Sequence, residues 1–278
     1  MAKKAVPSRR VAVIGAGKLG GTLIQALLDS SWVKAQDVIA TAAHEESLAA
    51  LRGRLEVKTT LDNAAACRDA HTVFLTVKPQ MMGEVLDTVS ATLTPRHLVI
   101  STAAGVPTRF IEDRLGKPVP VVRTMPNTAC LIRGGMTGIA SGRHVKPEQL
   151  EEARAIFDLL GRTVVLDEKH LDAVTGLSGS GPAFMYMIVE ALAEGGLKVG
   201  LPRDIATLLA AQTMLGAGRM ILETGQHPAL LKDAVTTPAG CTIDGILELE
   251  EGGLRVTLIK AVVKATQRAR ELFPYPPK

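Results

Sequence analysis

Aromatic side chains are scarce in this chain of 278 residues, 3% in all, with one Trp, two Tyr and five Phe. So few rings leave little to stack on exposed bases, which argues against a single-strand nucleic-acid binder. Cysteine is also rare, and Cys67, Cys130 and Cys241 form an odd, scattered set with no C-x-x-C spacing. That pattern suggests neither a disulfide framework nor a metal site, and it suits a reducing compartment. Charge of one sign is missing too, because 32 Lys and Arg stand against 28 Asp and Glu for a net charge of +4. Much of that excess sits in Lys3, Lys4, Arg9 and Arg10. Those basic residues ahead of Val11 to Gly17 imitate a secretion signal, but Lys18 ends the apolar run too early for one. No other uninterrupted apolar run reaches the roughly 18 residues of a membrane span. The expectation is a soluble cytoplasmic protein with no nucleic-acid or membrane partner and no metal.

What the chain does have is a large apolar share, 46% hydrophobic against 22% charged, in a length that fits one or two domains. Short β-branched runs alternate with helical patterns through the first half. Val11 to Ile14 reads as a buried strand, Lys18 to Ser30 as a helix, Val38 to Ala40 as a second strand and Glu45 to Arg54 as a second helix. Strands continue at Val73 to Val77, Leu98 to Ser101 and Val119 to Val122, with Pro79 and Pro107 punctuating turns into helices. Met136 to Ala140 and Thr163 to Leu166 flank a helix around Pro147 to Leu160 and add two more strands. After Leu166 the strands stop, and from Leu171 the pattern is helical with Gly/Pro breaks. The fold class expected is α/β: a Rossmann-like doubly wound parallel sheet over residues 1–167, followed by an all-helical C-terminal domain over residues 168–278. Pro274 to Lys278 reads as a frayed tail.

Between the first strand and its helix lies Gly15-Ala16-Gly17-Lys18-Leu19-Gly20, a G-x-G-x-x-G. The spacing has a mechanism: Gly15 allows a tight turn, Gly17 lets the backbone approach a pyrophosphate, and Gly20 lets the helix pack closely on the strand. The helix N-terminus adds unpaired N–H groups for the phosphates. An NAD enzyme usually carries an acid about 20 residues on, whereas this chain has Thr41-Ala42-Ala43-His44 at the second strand tip. Nothing there repels a 2′-phosphate, which favours NADP with NAD possible, and Thr41 and His44 are the side chains within reach. No Arg stands at the tip to clamp the phosphate.

Further along, Val77-Lys78-Pro79 and Ser101-Thr102-Ala103-Ala104-Gly105 end two more strands, at the sheet edge where ligands lie in such folds. Ala103, Ala104 and Gly105 suit a nicotinamide passing close to the backbone, and plain packing of small residues would look the same. Lys78 reads as a solvated lysine whose neighbouring peptides meet the cofactor. In the second half, Ser178-Gly179-Ser180-Gly181-Pro182 and Thr236-Thr237-Pro238-Ala239-Gly240-Cys241-Thr242 each open a helix with short hydroxyl side chains. Either could hold a carboxylate, and either could be an ordinary N-cap by Ser180 or Thr242.

Taken together, G-A-G-K-L-G, V-K-P, A-A-G-V, R-T-M-P-N at Arg123 to Asn127, G-L-S-G-S-G-P-A at Gly176 to Ala183, E-T-G-Q-H-P, L-K-D and T-P-A-G-C-T-I resemble pyrroline-5-carboxylate reductase, in order from about Val11 to Leu272. The resemblance implies NAD(P)H-dependent reduction of 1-pyrroline-5-carboxylate to L-proline, the last step of proline synthesis. It places cofactor contacts at Gly15 to Gly20, Asn63, Val77, Lys78, Pro79, Ala103 and Ala104, and substrate contacts at Gly240, Cys241 and Thr242. Thr242 is the expected catalytic residue, its hydroxyl reaching the ring nitrogen, with Ser178 and Ser180 as further substrate-binding candidates. Three positions depart from the commoner pattern. Ala239 replaces the first of two glycines, Cys241 fills a variable small-residue slot, and Ala42 stands where serine is frequent, which weakens the preference for NADP.

A hydroxyacid dehydrogenase of the related two-domain type is the competing enzyme, but its catalytic lysine would fall on Met185. A carbinol oxygen needs a proton partner, whereas a protonated imine already carries its activating charge. An enzyme for another cyclic imine, or a non-enzymatic dinucleotide-binding scaffold, would also fit the two-part pattern. Ala183 to Leu192 and Ile205 to Met214 are apolar on more than one face, the pattern of helices buried against another subunit, so a homodimer or higher homo-oligomer is expected.

Overall fold

The first apolar run becomes β1 (Val11–Ile14), whose four residues are all buried, as a central strand covered on both faces must be. Its side chains alternate between two cores: Val11 and Val13 face one, Ala12 and Ile14 the other. The computed structural model describes residues 9–273. Lys3, Lys4 and the tail expected at Pro274 to Lys278 lie outside them.

In chain order, α1 (Lys18–Asp29), β2 (Val38–Thr41), α2 (Glu45–Arg54), β3 (Lys58–Thr60), α3 (Asn63–Cys67), β4 (Thr72–Leu75), α4 (Met82–Val89), β5 (Leu98–Ser101), α5 (Thr108–Leu115) and β6 (Val121–Met125) continue the alternation. Then follow β7 (Gly135–Ser141), α6 (Pro147–Asp158) and β8 (Gly161–Val165), in one sheet ordered β3-β2-β1-β4-β5-β6-β7-β8. The order reverses direction at β1 and β4, which is the doubly wound arrangement. One core, with Leu23, Ile24, Leu27, Ile156 and Phe157, carries α1 and α6; the other, with Met82, Leu86 and Ile111, carries α4 and α5.

The sheet is not parallel throughout. β7 runs antiparallel to β6, and β8 is parallel to β7, so the last two strands oppose the rest. The physical reason is the connection: residues 126–134 are fewer than the dozen or so that a parallel crossover needs, so the chain can only turn back. The strand at Lys58–Thr60 carries no apolar alternation and lies at the sheet edge, which hides it from a hydrophobic pattern.

Two buried groups lie where the end of α3 meets the start of β5. His97 is fully buried, accepts a hydrogen bond on Nδ1 from Thr94 N at 2.9 Å, and reaches the Cys67 carbonyl through Nε2 at 3.2 Å. Burial holds its pKa below the ordinary histidine value. Burial, then the nearby Asp62, pushes the Cys67 thiol up to about 12, which keeps it from acting as a thiolate.

After β8 come α7 (Leu171–Val174), α8 (Gly181–Lys198), α9 (Arg203–Thr224), α10 (Pro228–Val235), α11 (Cys241–Glu251) and α12 (Leu254–Glu271), with no strand among the described residues. The expected switch to helix is therefore present. By compactness, the described residues form one unit of 9–179 with 264–273 and another of Ser180–Val263. Within the second unit α8 and α9 form a hairpin: Gly200, at φ +99°, turns the chain, and a Cβ on Gly196 would stand 2.9 Å from the Ala206 methyl. α9 has the length and composition of a membrane span, with mean hydropathy 1.4. Gln212 and Arg219 interrupt its apolar run in the sequence.

Candidate active site

The loop after β1 is shaped by its glycines, each for a different reason. Gly15 has φ +81°, and a side chain on it would collide with Val77. A Cβ on Gly20 would lie 2.8 Å from Thr76 Oγ1 and 3.2 Å from Val13 Cγ1, so α1 can rest on the sheet only without one. Gly17 is different: its Cβ would meet nothing nearer than the Gly15 carbonyl at 4.0 Å. Gly17 is also the N-cap of α1, and no side chain bonds the first amides of that helix. Open space, free N–H groups and the positive end of a helix dipole together fit a pyrophosphate. Of the other loop residues, Ala16 is buried, Leu19 half-buried and Lys18 exposed.

Thr41, expected to meet the cofactor, is buried at the tip of β2. Its Oγ1 accepts from Gly15 N at 3.3 Å and donates to Asn63 Oδ1 at 2.7 Å, while its carbonyl accepts from Ala16 N at 2.7 Å. The hydroxyl is thus occupied in bracing the glycine loop. Asn63, the first residue of α3, also reaches Thr88 Oγ1 through Nδ2 at 3.4 Å. His44 is exposed ahead of α2, whose first turn holds Glu45 and Glu46.

Beyond β4, Thr76 Oγ1 donates to the Gly15 carbonyl at 2.8 Å, which ties this segment to the loop. Val77 packs over Gly15, and Lys78 is exposed ahead of a 3-10 turn that begins at Pro79. Ala103 is buried and Ala104 half-buried after β5. Gly105, at φ +75°, faces α12: a Cβ there would stand 3.0 Å from the Ala269 carbonyl. Its smallness is demanded by that helix.

Ser178 lies in a π-helical turn, Thr175–Gly179, and its Oγ donates to the Val174 carbonyl at 3.1 Å. Ser180 occupies the N-cap of α8 with helical φ and ψ and no side-chain bond to the helix, so it is not a capping serine in the ordinary sense. Gly240 is the N-cap of α11, with Cys241 and Thr242 in the first turn and no side chain satisfying the amides there. The turn before it is closed by Gly240 N donating to the Thr237 carbonyl at 3.1 Å. Ala239 adopts φ +57°, the left-handed region, at the position where the commoner pattern has glycine.

Sequence reasoning missed an ionic cluster around a buried arginine. Arg123, on β6 and 5% exposed, donates to Asp172 Oδ1 at 2.8 Å and Glu168 Oε1 at 3.4 Å. Glu168 in turn accepts from Thr108 N at 2.7 Å and Thr108 Oγ1 at 2.6 Å, capping α5. R-T-M-P-N was the available signal, but a carboxylate ahead of a helix is an ordinary sight in a sequence and gave none.

A pyrroline-5-carboxylate reductase from Methanosarcina acetivorans is 44% identical over 265 residues, covering 95% of this chain and 98% of that protein. The chain belongs to the pyrroline-5-carboxylate reductase family. Within the family, a solved structure from Coxiella burnetii superposes with a TM-score of 0.89 at 36% identity, covering 96% of this chain and 100% of that one. A Plasmodium falciparum pyrroline carboxylate reductase solved with NADP bound gives 0.86 at 26% identity, covering 96% and 98%. A family model described as pyrroline-5-carboxylate reductase dimerisation matches residues 168–272. Residues 10–105 match one described as NADP oxidoreductase, coenzyme F420-dependent.

Proposed function

We propose that this member of the reductase family reduces 1-pyrroline-5-carboxylate to L-proline with NADPH, NADH being the second donor. The observation that carries the reading is the empty position at Gly17 beside uncapped amides of a helix of 12 residues. When bound, the nicotinamide cofactor supplies the hydride. Gly15 to Gly20 receive its pyrophosphate, with Thr41 and Asn63 holding the loop in shape. Val77, Lys78, Pro79, Ala103 and Ala104 border the nicotinamide half.

At the start of α11 the backbone N–H groups of Cys241 and Thr242, with Gly240 keeping the approach clear, receive the substrate carboxylate. Ser178 and Ser180 are the further residues of this reading that bind substrate. The Thr242 hydroxyl orients the ring nitrogen by a hydrogen bond. Because the protonated imine carries its own activating charge, the protein needs to orient it and exclude water, and no side chain has to act as a strong acid.

The functional boundary lies at residues 167 and 168, with the helical part serving substrate binding and dimerisation. In that part, α9 and α12 expose large side chains, Leu208 at 64% and Ile259 at 63% among them, and a second copy of the chain covers them. The same cover accounts for the apolar length of α9 without a membrane. Free thiols at Cys67, Cys130 and Cys241 suit the reducing cytoplasm. Steady-state oxidation of NADPH and of NADH with 1-pyrroline-5-carboxylate tests the activity and the cofactor choice together: no substrate-dependent oxidation refutes it. A monomer by light scattering at micromolar concentration refutes the oligomer.

A further inference from the structure

The R-T-M-P-N segment, Arg123 to Asn127, carries no role in the reading above, yet its last residue makes two contacts of interest. Asn127 Nδ2 donates to the Ser178 carbonyl at 3.0 Å, and Met136 N donates to Asn127 Oδ1 at 3.3 Å. The carbonyl it meets lies in the π-helical turn Thr175–Gly179, where the regular pattern of i to i+4 acceptors is broken. Two glycines hold that turn against its surroundings. A Cβ on Gly179 would come within 2.9 Å of the Met125 methyl, and one on Gly176 would come within 2.8 Å of Thr266 N on α12. Met125 and Asn127 therefore flank the same turn, one by packing and one by a hydrogen bond.

We infer that Asn127 is a positioning residue for substrate: its side-chain amide fixes the Ser178 carbonyl and so the course of the Ser178–Ser180 segment that receives the substrate. This rests on the reductase reading and adds a residue to it. The geometry separates two tasks in one side chain. Nδ2 must donate to Ser178, whereas Oδ1 only accepts from Met136, so a carboxylate of the same size keeps the second contact and repels the first.

The test is Asn127→Asp with Asn127→Ala beside it, the latter serving alone if the former does not fold. For either, KM for 1-pyrroline-5-carboxylate rises about tenfold, the scale of one lost hydrogen bond to a fixed acceptor. The Kd for NADPH, read by fluorescence titration, stays within about twofold, and hydrogen exchange accelerates over 175–180 while β1 and β4 amides keep their protection. An unchanged KM, or a Kd for NADPH that rises in step with KM, overturns the inference while leaving the reductase reading intact. A wild-type chain inert toward 1-pyrroline-5-carboxylate overturns both.

Discussion

Gly105 and Ala269 stand backbone to backbone, near enough that a β-carbon on the glycine would lie 3.0 Å from the alanine carbonyl oxygen. Phe110 and Phe273 close the same junction edge to face, with ring centroids 4.7 Å apart. Gly105→Ala therefore meets two penalties at once, the left-handed φ of +75° and the overlap with α12. Together they should cost about 1 to 3 kcal/mol, read as a lower midpoint in urea denaturation.

Gly17→Val puts two methyl groups into space that no protein atom fills. The fold should survive, because nothing packs there, and NADPH affinity should fall. Unaltered binding in a fluorescence titration would refute the assignment of this loop to the pyrophosphate.

Thr242→Ala keeps the backbone donors at the start of α11 and removes one hydroxyl. A loss of about 1 to 3 kcal/mol of transition-state stabilisation is expected if that hydroxyl meets the ring nitrogen. Turnover over KM should fall roughly tenfold to a hundredfold. Kinetics equal to wild type would reduce Thr242 to a helix-start residue.

Ala239→Gly should stabilise the protein. An alanine at φ +57° carries a left-handed penalty that glycine avoids, and Ala239 is exposed, so no packing is lost. The gain should be up to about 1 kcal/mol, less the extra freedom glycine has when unfolded, seen as a rise in Tm by calorimetry. A fall in Tm would show that the methyl group has a contact of its own.

Acid should weaken the fold through His97. Its folded pKa is depressed by burial, so as pH falls the unfolded chain takes the proton first. The neutral ring's contribution is complete above the unfolded pKa of about 6.5 and is lost as pH drops from there through the folded value. Urea midpoints at about pH 7.5 and pH 5 should differ in wild type and differ less in His97→Gln. An equal dependence in both would assign the acid sensitivity to other groups.

Strand and helix positions in the first half were legible because period and punctuation act locally: buried runs such as Val11 to Ile14, and prolines at turn exits. Chain reversal at β7 was not, since it depends on how far residues 126–134 can reach in space. The purposes of individual glycines divided the same way. Gly15 and Gly20 could be understood from the spacing of one loop, but the packing demand on Gly105 comes from Ala269, 164 positions away in the sequence. Buried Arg123 and the half-buried Glu168 and Asp172 come from two segments 45 residues apart, and no one-dimensional pattern brings those segments together.

The last helix begins among the residues of the second unit and ends, from residue 264, among those of the first. During synthesis the nucleotide-fold portion therefore keeps an uncovered patch at Gly105 and Phe110 until residues 264–273 have emerged. Its completion waits until the whole of the second unit has been made, and a nascent chain halted anywhere before Ala269 lacks the piece that closes it.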